Sequence, residues 1–443
     1  MSLLSASELE ALRERASALV GIAGLDRAGR NAIDALVDRL ADTYPYGEAR
    51  YAGQMLKPPH PVAWVAYATT MLLNPNNHAL DGGPATARME IEVVSALGSM
   101  LGLSDPLGHL TASGTIANLE ALFVAREERP GAVILYGENA HYTHSRMCDL
   151  LGVAHESVPQ DAAGRLDVAA LAARLERGNV GTVVATLGTT SLGAIDPIAE
   201  IADLCTFGVR LHVDAAYGGF FTLVAGPDAG LGLDEPTFAA VGRADSVVVD
   251  PHKHGLQPYG CGAILFADSR VARHYRHASP YTYFTSEGRH LGEISLECSR
   301  PGAAAAALWA TLQALPLDAT GVGAHVAAAR RAGLIAAGAV DAGNAIDLLL
   351  PPELDIVCMV PAAETAARIS DASEAVFRLA ADAGLHLAKL TVESDWLAAR
   401  RPGLVVDQPT TTVLRAVFMK PEHEAQAELI VKRVDALASV TLA

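Results

Sequence analysis

The sequence predicts an α/β protein: a mostly parallel sheet forming a large domain, followed by a smaller α+β C-terminal domain. Two observations carry this. From about residue 83 to 300, short β-branched runs alternate with stretches of helical apolar spacing, as a parallel sheet covered on both faces requires. After residue 300 the chain turns Ala-rich and helical, then offers shorter strand candidates with helices between them. A length of 443 residues fits this division, at roughly 150 residues per compact region.

In chain order, residues 1–70 read as an N-terminal helical arm ending in a Tyr- and Pro-containing loop, DTYPYGEARYAGQMLKPPHP. Residues 71–314 read as the large domain. Its helices are expected at 84–102, 115–128, LDVAALAARLER and DPIAEIADLC, and its strands at 132–136, 182–188, 210–215, 245–250 and 261–266. Residues 315–443 form the smaller domain, with strands at AIDLLL, DIVCMV and TTVLRAVFM.

Composition narrows the function. Apolar types make up 51% and charged types 19%, an ordinary globular balance. The net charge of −17 argues against nucleic acid or an anionic membrane as partner, since phosphate binding needs clustered Lys and Arg. Five scattered cysteines without a CxxC pair suggest free thiols in a reducing cytoplasm. The first residues interrupt any signal-peptide stretch with Glu8, Glu10 and Arg13, so no leader is expected. The most apolar window, 301–316, is Pro-bounded and shorter than the ~20 residues a bilayer needs, so a buried helix is expected there.

Four clusters fall at strand ends or helix starts, where parallel sheets bind ligands. TASGTIAN (111–118) precedes a helix, and Gly114 and Thr115 would offer free N–H groups to an anion, or merely cap the helix. LHVDAAYGG (211–219) ends a strand in Asp214, a loop cap or a partner for a cationic heterocycle. DSVVVDPHKHG (245–255) places Lys253 directly after a buried strand, an ordinary exposed lysine or an amine well placed to lose its charge and form a Schiff base. The His252–Lys253–His254 run also admits a metal with His141 and His144, but no carboxylate cluster supports one and none is expected. In ENAHYTHSRMCDLLG (138–152), His141 at a helix start is a cap or surface residue, or could lie flat on an aromatic cofactor. A phosphate cradle, an acid for a ring nitrogen and a lysine for an aldehyde are together what pyridoxal 5′-phosphate needs.

At these positions the chain resembles the group II pyridoxal-phosphate decarboxylases, the aromatic amino acid, tyrosine and glutamate decarboxylase family. The motifs are NPNN and GGPAT (74–86), TASGTIAN, HYT…LLG, TLGTTSLGAIDPI, HVDAAYGG, DPHK, SRPGA and LRAVFMKP. GTTSLGAIDPI and DPHKHGL look closest to the short tyrosine/aspartate decarboxylase branch. The resemblance implies fold type I, a homodimer with shared active sites, and an L-amino acid substrate. It implies that Lys253 is the Schiff-base lysine, that Asp214 keeps the ring nitrogen protonated during a quinonoid stage, and that His141 stacks on the ring with Ala216 beneath. Gly114 and Thr115 match phosphate contacts and Thr190 a residue near the ring. His252 matches a substrate-proximal histidine, and Arg415 an arginine holding a substrate carboxylate. Asn77 and His78 are expected near the substrate entrance. The loop acid that protonates Cα is expected to be Tyr281 or Tyr283, contributed across the dimer interface. Rival activities on the same cofactor are an aldehyde synthase and a carbon–carbon lyase; a catalytically silent cofactor-binding scaffold is a third alternative. Ile116 and Arg146 depart from the family pattern without removing a catalytic group.

Overall fold

A computed structural model describes residues 24–206, 208–275 and 290–443. Its main sheet has seven strands: β1 (Leu107–Thr111), β2 (Val133–Gly137), β3 (His155–Val158), β4 (Val180–Thr186), β5 (Arg210–Asp214), β6 (Ser246–Val249) and β7 (Gly262–Phe266). They lie in the order β1-β7-β6-β5-β4-β2-β3. β7 runs antiparallel to both its neighbours, and β6, β5, β4, β2 and β3 are successively parallel. The expected mixed α/β architecture is therefore present. The strands at the centre are buried on both faces, which is why VVVAT-like runs without alternation read correctly as strands.

A second, antiparallel sheet follows: β8 (Ile346–Leu348), β9 (Ile356–Pro361), β10 (Ala388–Glu393) and β11 (Thr410–Val417), in the order β10-β11-β9-β8. The Ala-rich segment forms the helix Ala303–Ala314, whose first five alanines are buried. The helix Val322–Asp341 then packs against the C-terminal helix His423–Leu442. One apolar core runs continuously from Val93 and Leu97 through the main sheet to Ile356, Val413 and Met419.

Three strands escaped the sequence reading, β1, β3 and β10, and all three are edge strands. β3 is HESV and mostly solvent-facing; β10 is AKLTVE and half-buried by alternation; β1 is only five residues and contains Gly108 and His109. An edge needs no long apolar run, so the signal is weak there. Among the described residues no helix is long and apolar enough to cross a membrane.

Near the N-terminus, the helix Arg27–Leu40 is amphipathic yet buries no residue, leaving Ile33, Leu36, Val37 and Leu40 exposed. Asp26 caps it by accepting from the Gly29 N–H at 2.7 Å.

Candidate active site

The carboxyl ends of β1, β2, β4, β5 and β6 converge on one crevice of about 250 Å³. It is lined by Gly114, Thr115, His141, Thr190, Asp214, Ala216, His252 and Lys253, among others. Eight residues from five separate stretches of sequence thus meet in one place. The sheet topology brings them there, because successive parallel strands deliver their following loops to the same edge.

Asp214 ends β5 and is almost fully buried. Its Oδ2 accepts from His144 Nε2 at 2.9 Å and from Asn118 Nδ2 at 3.3 Å, and its Oδ1 accepts from the Ala216 N–H at 3.1 Å. Burial alone would raise its pKa. The His144 hydrogen bond and charge, with Lys253 and His212, overcome this and hold the carboxyl well below the usual range. Behind it, His212 bridges Ser246 Oγ and Asn118 Oδ1, each at 2.9 Å. Burial pushes the His212 pKa down to about 3, so the ring is a neutral strut.

Lys253 sits in the turn after β6, with its N–H donating to the Asp250 carbonyl at 2.9 Å. Its Nζ lies 3.0 Å from Asp250 Oδ2. Burial does act to lower its pKa, but Asp250 and Asp214 outweigh it and hold the ammonium above the ordinary lysine value. His252 donates Nδ1–H to the Cys261 carbonyl at 2.8 Å, which leaves Nε2 facing Asp250 Oδ2 at 3.6 Å.

The helix Gly114–Glu128 starts at the crevice, capped by Ser113 Oγ accepting from the Ile116 N–H. Gly114 is required by closeness: a Cβ there would lie 2.6 Å from Asp250 Oδ2. Opposite, His141 accepts from the Thr143 N–H at 3.2 Å, so it precedes its helix, which begins at Thr143, by two residues. Burial and the Lys253 charge lower its pKa.

Thr190 reaches the crevice on a loop whose carbonyls are tied to β11. Arg415 donates Nε–H to Ser191 O at 2.9 Å and Nη2–H to Thr190 O at 2.6 Å, with Gly53 O 3.4 Å from Nη1. Arg415 is buried and does not line the crevice. The expectation of a free fork for a substrate carboxylate is corrected: in this structure the guanidinium fixes the Thr190 loop. Asn77 is corrected likewise. It is fully buried, donating to Glu90 Oε2 at 2.6 Å and accepting from Thr86 Oγ1 at 2.5 Å, so it is a strut under the helix Pro84–Met100. His78 Nδ1 lies 3.0 Å from the Cys298 carbonyl, outside the crevice lining. Tyr281 and Tyr283 lie outside the described residues.

Sequence reasoning missed Asn118, Tyr217 and Asp355. Asn118 was findable: it lies four residues after Gly114 on the same helix face. Tyr217 lines the crevice and donates to Asp355 Oδ1 at 2.6 Å, while His254 Nε2 lies 3.3 Å from Asp355 Oδ2. His144 and His254 thus serve two different carboxylates, Asp214 and Asp355, and are not neighbours in one cluster.

The crevice can be tested for fit to pyridoxal phosphate on its own features. A buried amine, a carboxylate held ionised and the N-terminal amides of a 15-residue helix surround one space. Among the described residues, the buried Asp250 Oδ1 has no hydrogen-bond partner. The small residues Gly114 and Ala216 leave room for a flat ring. Aldehyde, ring nitrogen and phosphate each have a chemically matched group, so the residues fit.

Fold and site together define a fold type I pyridoxal-phosphate enzyme. The sequence pattern of the pyridoxal-dependent decarboxylase conserved domain matches residues 62–358, and the chain belongs to this family. Its members are carboxy-lyases that use pyridoxal phosphate as cofactor, and this chain is one of them. It is 33% identical over 288 residues to a probable L-tyrosine/L-aspartate decarboxylase of Methanothrix thermoacetophila, covering 64% of this chain and 71% of that one. In structure it is similar to mouse CSAD in apo form, with a TM-score of 0.80, 20% identity, and coverage of 99% and 93%. It is also similar to Oryza sativa TDC with PLP and tryptamine, with a TM-score of 0.76, 18% identity, and coverage of 98% and 99%.

Proposed function

We propose that this chain converts an L-amino acid to its amine and carbon dioxide, with tyrosine or aspartate as the first substrates to consider. The observation that carries the reading is the convergence of Lys253, Asp214 and the Gly114 helix start on one crevice. The substrate pair comes from the name of the Methanothrix relative.

Bound pyridoxal phosphate supplies an electron sink for the pair released at Cα when the carboxylate leaves. The chain's residues do the rest. Lys253 Nζ is the amine that holds the cofactor aldehyde, and Asp250, 3.0 Å away, is placed to take its proton. Asp214, fixed as an anion by His144, Asn118 and the Ala216 N–H, would pair with the ring nitrogen. The first amides of the Gly114 helix and the Thr115 hydroxyl would hold the phosphate. His141 and Ala216 would confine the two faces of the ring, with Thr190 near it; all three line the crevice. His252 Nε2, its other nitrogen fixed on Cys261 O, is available to a proton near Lys253. Tyr281 or Tyr283 of a second copy in a homodimer protonates Cα. The division into an arm (1–70), a large domain (71–314) and a small domain (315–443), and a cytoplasmic location, belong to the same reading.

The test is aerobic incubation of the cofactor-loaded protein with L-tyrosine, L-aspartate and a panel of other L-amino acids, with products identified by mass. Amine and carbon dioxide support the proposal. Aldehyde with ammonia would replace it by the oxidative alternative, and no turnover on any amino acid would overturn it.

A further inference from the structure

A second cavity, of about 920 Å³, lies behind the Lys253 turn and shares no lining residue with the crevice. Its walls are apolar: Pro58, Pro59, Pro61, Pro421 and Leu256. Among them lie two lysines that are almost fully buried, Lys57 and Lys420. Among the described residues neither has a carboxylate partner within salt-bridge distance. Lys57 Nζ is 3.4 Å from the Met419 carbonyl, and Lys420 Nζ donates to the Tyr51 carbonyl beneath the Tyr51 ring. The acids of the cavity stay at its rim, where Glu48 is exposed and already paired with Arg50 at 2.7 Å, and Glu422 is exposed too.

Buried cations met only by carbonyls are poorly compensated, and a cavity beside them favours an anion. Burial pushes both lysines down to about 8, Asp355 and Glu422 opposing the shift at Lys57, and both keep most of their charge near neutrality. A cavity with apolar walls and a few convergent polar groups is the usual form of a small-molecule site.

The cavity also touches the catalytic turn. Leu256, three residues after Lys253, has φ +65°, a left-handed conformation that is strained for a side-chain-bearing residue. Its carbonyl accepts from the His60 N–H at 2.9 Å, so the cavity wall 57–61 holds the strained residue in place. His325, edge-on to the His60 ring at 6.1 Å, also lines the cavity.

We propose that this cavity binds a small organic anion with an apolar body, its charge on Lys57 and Lys420, and that occupancy is transmitted through His60 and Leu256 to the Lys253 turn. The site is separate from the reaction proposed above and does not depend on which amino acid is decarboxylated.

The holoenzyme would be titrated with 4-(trifluoromethyl)benzoate by fluorine NMR, with the neutral 4-(trifluoromethyl)benzyl alcohol and inorganic phosphate as comparison probes. The expected result is saturable benzoate binding at least tenfold tighter than that of the alcohol or phosphate, weakened at least tenfold in Lys57→Met. His325→Trp, which narrows the cavity and leaves both lysines in place, should weaken it as well. The cofactor's visible absorption band should shift with the same saturation curve. Binding unchanged in both variants, or alcohol bound as well as benzoate, would overturn the site. Phosphate bound as tightly as benzoate would overturn the apolar component, and saturable binding with an unmoved cofactor band would overturn the link to Lys253.

Discussion

The phenol of Tyr217 donates to Asp355 Oδ1 at 2.6 Å and thereby fastens the loop after Asp214 to the start of β9 in the second sheet. Both residues are buried, and His254, the neighbour of Lys253, stands edge-on to the Tyr217 ring at 4.8 Å. One bond thus ties the crevice floor, the lysine turn and the smaller sheet. Tyr217→Phe should destabilise the protein by about 1–3 kcal/mol, because Asp355 is left buried with one donor fewer. Denaturant melts with and without cofactor measure this, and an unchanged midpoint would show that the bond contributes nothing.

Lys253 and Asp250 form a nearly buried ion pair at 3.0 Å. Lys253→Ala should abolish decarboxylation and the absorption of covalently held cofactor. It should also cost roughly 1–3 kcal/mol of stability, since an unpaired carboxylate remains in the core. Asp250→Asn in the same chain should restore much of that stability without restoring activity. A double-mutant cycle by thermal melting decides whether the two residues are coupled.

Asp214→Asn should lower kcat by roughly 10²–10³-fold while the cofactor still binds, as expected when one preorganised charge at a reacting system is removed. The carboxyl is depressed below its ordinary value of 3.8, so its contribution to stability is complete above that pH and is lost as pH falls further. The difference in melting temperature between wild type and variant should therefore shrink at the acid end.

Acid stability is set by buried neutral histidines. Burial pushes His212 down to about 3 and His423 to about 4, against an ordinary 6.5, so unfolding takes up two protons around pH 5. Asp196 opposes them: burial raises it to about 6, and unfolding releases its proton over the same range. These three groups together take up one proton on unfolding, and His141, His252 and His254, also lowered by burial, add to the uptake, so stability should rise with pH near pH 5. Urea denaturation at several pH values tests the slope, and a flat profile would contradict this assignment.

Gly114→Ala should raise the intrinsic helix propensity by up to about 1 kcal/mol, yet weaken cofactor retention. The added methyl would sit 2.6 Å from Asp250 Oδ2, at the mouth of the helix that faces the crevice. A tenfold or greater loss of affinity in equilibrium dialysis is expected, and unaltered affinity would remove the helix start from the phosphate site.

Much of this protein is determined by its sequence alone. The buried parallel strands at the centre of the main sheet are β-branched runs because both of their faces are covered. The polar residues at their ends, Asp214 and Lys253, stand out against that background. The small residues at Gly114 and Ala216 are legible for the same local reason. Tertiary structure alone decided what these groups face. It paired Lys253 with Asp250, and it turned Arg415 onto the carbonyls of Thr190 and Ser191. It closed Asn77 into a strut beside Glu90 and brought Asp355 138 residues along the chain to meet Tyr217. Strand periodicity and helix caps act within a few residues and leave a local pattern. A buried charge chooses its partner by distance and desolvation in the folded state, and such pairings leave no pattern in the linear chain.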